Sequence, residues 1–347
     1  MKSFVTLMLC LLSMTTFAQV HDEITSAMEE FDYDKVINLI SPSTKDSLLL
    51  STRIQALKAM NRYPEAIVDL TSLFVKDTTD TKILIDLAEC YKLMGSPRQA
   101  ADYYRKAVSL RPNNKFFRLQ YIRSLLNAEN FKEARDACHG WLEQDTVSAT
   151  GYKYLGQAYE GMQDIPNAFF SYNVAYRRDS LDAQTVARIA NIFNNNRQFT
   201  DAIDVTECYR LSDTTSVDVN RQNAKAYCML KDYKKAIERY ESLKRMGDRS
   251  FLTFYYLGIS YYGDNWFYGS YDNLKEAYAK NSTDINVLYY YAKSCSRTSW
   301  KKEGVEFMEM AVGTGWNYGD LCANCKVCAI RLSYKNMSVI LYVCVIK

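Results

Sequence analysis

Over most of its length, this chain places a small side chain at every thirty-fourth residue. The series is Ala66, Ala100, Ala134, Ala168, Ala202, Ala236, Ser270 and Gly304. If roughly one residue in five is Ala, Gly or Ser, chance gives such a run about two or three times in a million. A second series lies at the eighth position of the same register: Ile54, Ala88, Ile122, Gly156, Ala190, Ala224, Gly258 and Ala292, six of them small. Antiparallel helices need small residues where their backbones approach, and larger ones to fill the gaps between ridges. The register defines eight 34-residue units over residues 47–318, with no insertion or deletion.

The pattern within a unit is helical. In the second, Ile83, Leu84, Leu87, Ala88 and Tyr91 share one face of a helix. Met94-Gly95-Ser96-Pro97 then reads as a turn, where glycine ends a first helix (A) and proline opens a second (B). Asp80 and Asp182 offer N-caps to the helices that follow them. Glycine (13) and proline (5) are too scarce among 347 residues for a sandwich or barrel built from tight turns. A repeat array also removes the expectation of several globular domains that this length would otherwise raise, because it grows by stacking.

Leu84-x2-Leu87-Ala88-x2-Tyr91, followed by Ala100-x3-Tyr104, Ala107 and Pro112, resembles the tetratricopeptide repeat signature. Tyr152-x2-Leu155-Gly156-x2-Tyr159 with Ala168-x3-Tyr172 and Ala175, and Phe254-x2-Leu257-Gly258-x2-Tyr261 with Ala277, are similar to it as well. The resemblance implies an all-α fold, a right-handed α/α superhelical solenoid of antiparallel helix pairs. Departures are local: Arg53 and Ile54 replace the Leu-Gly pair of the first unit, and Trp141 and Tyr209 stand where alanine is usual. Residues 20–46 are expected to form an irregular N-terminal cap, since end repeats must face water.

The two ends read differently from the array. Lys2, the apolar run Phe4 to Leu12 and Thr16-Phe17-Ala18 have the order of a secretory signal peptide, so residues 1–18 are expected to be removed and the chain exported to the periplasm or outside the cell. That run is too short to span a bilayer. Residues 319–347 form a cysteine-rich tail in which Cys322, Cys325, Cys328 and Cys344 leave a disulfide, a metal site or an altered reading frame as alternatives. Ser338 to Ile346 has the look of a β-strand.

Little in the sequence speaks for catalysis. The two histidines, His21 and His139, build no triad, no phosphate loop is present, and neither cofactor nor metal is expected. A net charge of +3 on 43 basic and 40 acidic residues does not fit nucleic-acid binding. In proteins of the resembled family, positions 2, 5, 6, 9, 12 and 13 of helix A face a concave groove. Here the middle repeats put Arg123, Lys153, Gln157, Arg188, Asn191, Asn195, Arg221, Gln222 and Lys225 there, against the acids Glu160 and Asp218. The last two repeats put Tyr255, Tyr256, Ile259, Tyr262, Tyr289, Tyr290 and Lys293 there. The resemblance therefore implies a scaffold that holds an extended protein or peptide segment, one bearing acidic or terminal carboxylate groups. A second expectation is a carbohydrate-handling or envelope-assembly role for the tyrosines.

Overall fold

In the computed structural model, residues 19–313, 328–334 and 337–343 are described. The expected signal segment and Cys322, Cys325 and Cys344 lie outside them. The chain forms two compact units, residues 1–178 and 179–347. The first holds helical residues 19–29 (α1), α2 (Tyr33–Leu39), α3 (Ser47–Ala59), α4 (Tyr63–Lys76), α5 (Thr81–Leu93), α6 (Pro97–Leu110), α7 (Lys115–Asn127), α8 (Phe131–Leu142), α9 (Ala149–Gly161) and α10 (Ile165–Arg178). The second holds α11 (Ala183–Asn195), α12 (Phe199–Arg210), α13 (Val217–Met229), α14 (Tyr233–Arg245), α15 (Phe251–Gly263), α16 (Phe267–Lys280), α17 (Ile285–Ser296) and α18 (Lys301–Gly313). An antiparallel ribbon, β1 (Cys328–Tyr334) with β2 (Met337–Val343), pairs Cys328 with Val343 and Tyr334 with Met337. Apart from this ribbon the described residues are all-α, stacked as antiparallel helix pairs. Among them, no helix is long and apolar enough to cross a membrane.

Local chemistry fixes where each pair starts and turns. The odd-numbered helices from α3 to α17 begin at 47, 81, 115, 149, 183, 217, 251 and 285, a constant interval of 34. The residue before each is Asp46, Asp80, Asn114, Ser148, Asp182, Ser216, Ser250 or Asp284, and each side chain accepts a hydrogen bond from an N–H of the first turn. Between helix A and helix B, the fifteenth residue of seven repeats takes a left-handed conformation: Asn61, Gly95, Glu129, Gln163, Arg197, Lys231 and Asn265, with φ from 56° to 71°. Its successor donates back to the carbonyl five residues earlier, as Asp164 does to Tyr159 at 2.9 Å, which closes the helix end.

Packing between A and B is a trade of volume between positions 8 and 24. Gly156 lies under the ring of Tyr172, where an added Cβ would stand 2.7 Å from the ring. Gly258 lies against Leu274 in the same way, at 2.6 Å. Ala88 and Ala224 accept the buried Tyr104 and Tyr240. In the third repeat the sizes reverse, and Ile122 meets Cys138. The twentieth residues, Ala66 through Ala236, are completely buried where the two helices touch.

Two departures from the signature are answered by new partners. Arg53, in place of a core leucine, is 6% exposed and pairs with Asp69, which is 2% exposed. In the sixth repeat Asn223 fills the corresponding position at 0% exposure. Its amide donates to Thr206 Oγ1 (2.9 Å) and Glu207 Oε1 (3.0 Å) and accepts from Arg239 (3.2 Å), which makes a polar seam between helices. Trp141 and Tyr209, in place of alanine, are buried core residues.

The volume trade predicts a rescue. Gly156→Ile should lower stability by about 1–3 kcal/mol through overpacking. Adding Tyr172→Cys, which copies the Ile122–Cys138 pair, should recover most of that loss, whereas strictly additive effects in thermal unfolding would refute the pairing.

Candidate functional site

Helix A side chains at the positions outside the A–B contact form the candidate face, and each unit presents its own share. In the first unit Arg123 is exposed on α7. Lys153 on α9 is half-buried and holds its ammonium 5.5 Å over the ring of Tyr154. Gln157, one turn along, has its Nε2 shielded from water without a hydrogen-bond partner.

The second unit brings α11, α13, α15 and α17 side by side. Asn194 joins the first two by donating to the Gln222 carbonyl and to Gln222 Oε1, both at 3.0 Å. Arg188, half-buried on α11, is among the residues already engaged within the chain. Asn191 is half-buried on the same face, and Asn195 is exposed at its end.

Two cations one turn apart on α13 have opposite fates. The Arg221 guanidinium meets Asp218 at 2.7 Å and Asp248 at 2.9 Å. Asp248 comes from the loop before α15, has a side chain only 6% exposed, and also accepts from Thr253 Oγ1 (2.7 Å). Although burial raises its pKa, these donors outweigh that cost and hold the carboxyl below its ordinary value. Arg221 is therefore a strut between α13 and α15. Lys225 has no carboxylate within ion-pair reach among the described residues, and its hydrogen bond goes to Asn195 Oδ1 at 3.3 Å. Burial pulls its pKa down, with no opposing charge to restore it.

The tyrosines of α15 and α17 make a network of ring contacts. Tyr255 stacks on Phe251 at 5.8 Å, and Tyr256 on Tyr240 at 6.2 Å. Lys293 covers three more rings, with its ammonium 4.9 Å from the centroids of Tyr262 and Tyr289 and 5.7 Å from that of Tyr290. Burial raises the hydroxyl pKa of Tyr255 and Tyr256, and pushes that of Tyr290 up to about 12. These groups remain neutral hydrogen-bond donors at physiological pH.

Sequence reasoning named this face but not how its charges are used. Asp248 lies 27 residues from Arg221 and carries no pattern that marks it as a partner. Asn194 shares the face at position 12 and was findable from the register. Among the described residues, no group of three or more His, Cys, Asp and Glu is placed to hold a metal.

Comparison with known proteins agrees with this architecture. Residues 81–114 match the family model described as Tetratricopeptide repeat. No curated protein matches the sequence. A solved tetratricopeptide repeat protein from Parabacteroides merdae is similar at a TM-score of 0.50 and 13% identity, over 70% of this chain and 95% of that one. The Cut9–Hcn1 hetero-tetramer of the APC/C is similar at a TM-score of 0.53 and 13% identity, over 83% of this chain and 56% of the other. At these identities the likeness is one of fold.

The contrast on α13 predicts opposite stability effects. Arg221→Met strands the buried Asp248 and should cost about 1–3 kcal/mol. Lys225→Met removes a desolvated, unanswered charge and should leave the melting temperature unchanged or raise it. Equal losses in differential scanning calorimetry would overturn the assignment of the two roles.

Proposed function

We propose that this chain, which has a tetratricopeptide repeat at residues 81–114 and the fold of such proteins, is a non-catalytic scaffold whose helix A faces bind an extended, acidic segment of a partner protein. The observation that carries the proposal is Lys225. An ammonium drawn out of water without a counter-charge raises the free energy of the folded chain. A carboxylate delivered by a ligand removes that penalty and adds a charge-assisted hydrogen bond, contributing roughly 1.5–3 kcal/mol.

Neighbouring groups extend the same chemistry. Asn195 offers an amide beside Lys225 and Asn191 lies one turn earlier on α11, while the phenolic hydroxyls of Tyr255 and Tyr256 on α15 add further donors. The acids among the face positions of α11 and α13 are few, and Asp218 already holds Arg221. Export belongs to the proposal too. Removal of residues 1–18 gives a mature chain that starts at Gln19, which N-terminal sequencing of the purified protein tests directly.

Binding is measured by fluorescence anisotropy with a labelled pool of Asp/Glu-rich decapeptides, and with the matching Asn/Gln pool as control. The acidic pool should bind, and affinity should fall as salt rises. Lys225→Glu should weaken binding by about tenfold or more at an unchanged melting temperature, equivalent to about 1.4 kcal/mol. Because the pKa of Lys225 is depressed, raising the pH through the alkaline range neutralises it ahead of ordinary lysines, and affinity should fall there. Equal binding of the two pools, or full affinity in Lys225→Glu, would refute the proposal.

A further inference from the structure

The turn from helix A to helix B ends at the sixteenth residue of each repeat, directly before helix B. Six repeats place a polar residue there: Arg62, Ser96, Asn130, Asp164, Gln198 and Asp232. Two of these cap the helix they precede, Asp164 through the Asn167 N–H (3.2 Å) and Asp232 through the Lys235 N–H (3.3 Å). The last two repeats place tryptophan instead, Trp266 and Trp300. An indole has no acceptor for a first-turn N–H, and Trp266 makes no such bond. Trp300 is spent on packing: its ring stacks on the buried Tyr271 at 4.0 Å and meets Tyr268 at 5.5 Å. Trp266 is not, and 54% of it is exposed.

The fold nevertheless fixes how Trp266 lies. A Cβ added at Gly269 would stand 2.8 Å, 2.9 Å and 3.2 Å from three adjoining carbons of the indole, a position over the ring and not at its edge. One face is therefore seated on the first turn of α16, and Tyr261 meets the ring at 4.5 Å and 89°. With that face covered and more than half the residue exposed, the other face is open to water. Asp264 and Asn265, immediately before it in the turn, are exposed, and their side chains make no hydrogen bond or ion pair among the described residues.

We propose that Trp266 is the platform of a carbohydrate site, which takes a neutral pyranose sugar within an oligosaccharide. The apolar C–H face of the sugar lies on the open indole. At its rim, Asp264 accepts from the hydroxyls, and Asn265 both accepts from and donates to them. Tyr268, two residues along and 54% exposed, offers a second ring to an adjoining sugar. The chemistry favours a sugar over other occupants. A nucleotide would bring its phosphate toward Asp264. A protein patch would be met by aliphatic side chains, whereas the large exposed apolar residues of α16 and the turn before it, Trp266 and Tyr268, are both aromatic. This site lies at the turns between helices, apart from the helix A faces, and does not depend on the peptide-binding reading above.

The test is a glycan array probed with the full chain, followed by calorimetric titration of the best-bound oligosaccharide. Binding should be insensitive to salt, because the ligand is neutral. Trp266→Ala should weaken it by about tenfold or more, and Asp264→Ala should weaken it measurably. Trp266→Phe keeps a ring over Gly269 and should retain part of the affinity, which separates loss of the platform from loss of the fold. Lys225→Glu should leave glycan binding intact, so failure of this site and failure of the peptide-binding face are distinguishable. An array on which no oligosaccharide is bound would overturn the proposal, as would unchanged affinity in Trp266→Ala. Sedimentation with phosphatidylglycerol vesicles that is lost in Trp266→Ala, with no glycan bound, would overturn it too, by assigning the indole to a membrane surface.

Discussion

Close contact between helix A and helix B at positions 8, 20 and 24 is the constraint from which the rest of the structure follows. At Gly156 and Gly258 the backbone stands so near its partner that an added Cβ would fall 2.7 Å and 2.6 Å from a side chain of helix B. Residues at the contact are chosen jointly: glycine under tyrosine in the fourth repeat, isoleucine against cysteine in the third. Positions 4 and 7 of helix A complete the core, as Leu84 and Leu87 do, and the positions on its other side are freer of that packing. They carry charge, amides and phenols, some of which brace neighbouring repeats, as Arg221 does through Asp248.

Much of this is written in the sequence, because the contact residues repeat. Small residues at 34-residue spacing locate every A–B pair, and the resemblance to the tetratricopeptide signature rests on the same positions. Of the strand expected from Ser338 to Ile346, the part up to Val343 lies in β2, and residues 344–346 lie outside the described residues. What stayed hidden is chemistry that does not repeat. The left-handed turn residue is glycine only at Gly95, so Glu129, Gln163, Arg197 and Lys231 give no hint of their backbone state. Arg53 reads as a flaw in the first repeat until Asp69 is seen opposite it.

Counting charges is a poor guide to a binding face, because counterions supplied by the fold are silent in the count. Arg221 and Lys225 both fall at face positions of the sixth repeat, the fifth and the ninth, and carry the same sign. One is fixed between two carboxylates and braces α13 against α15; the other has an amide oxygen alone. The same sorting in the first unit sets Lys58, which is paired, apart from Lys76 and Lys82. Cations without a carboxylate partner among the described residues occur in both units, Lys76 and Lys82 in the first and Lys225 in the second.

The central claim is that the surface released from A–B packing is the surface that binds. Amide hydrogen exchange with and without the acidic decapeptide pool measures this directly. The account predicts that in the second unit protection is gained in α13 and α15 and not in α14 and α16, whose inner faces are already spent on packing. Protection that appears on α14 and α16, with α13 and α15 unchanged, would contradict it.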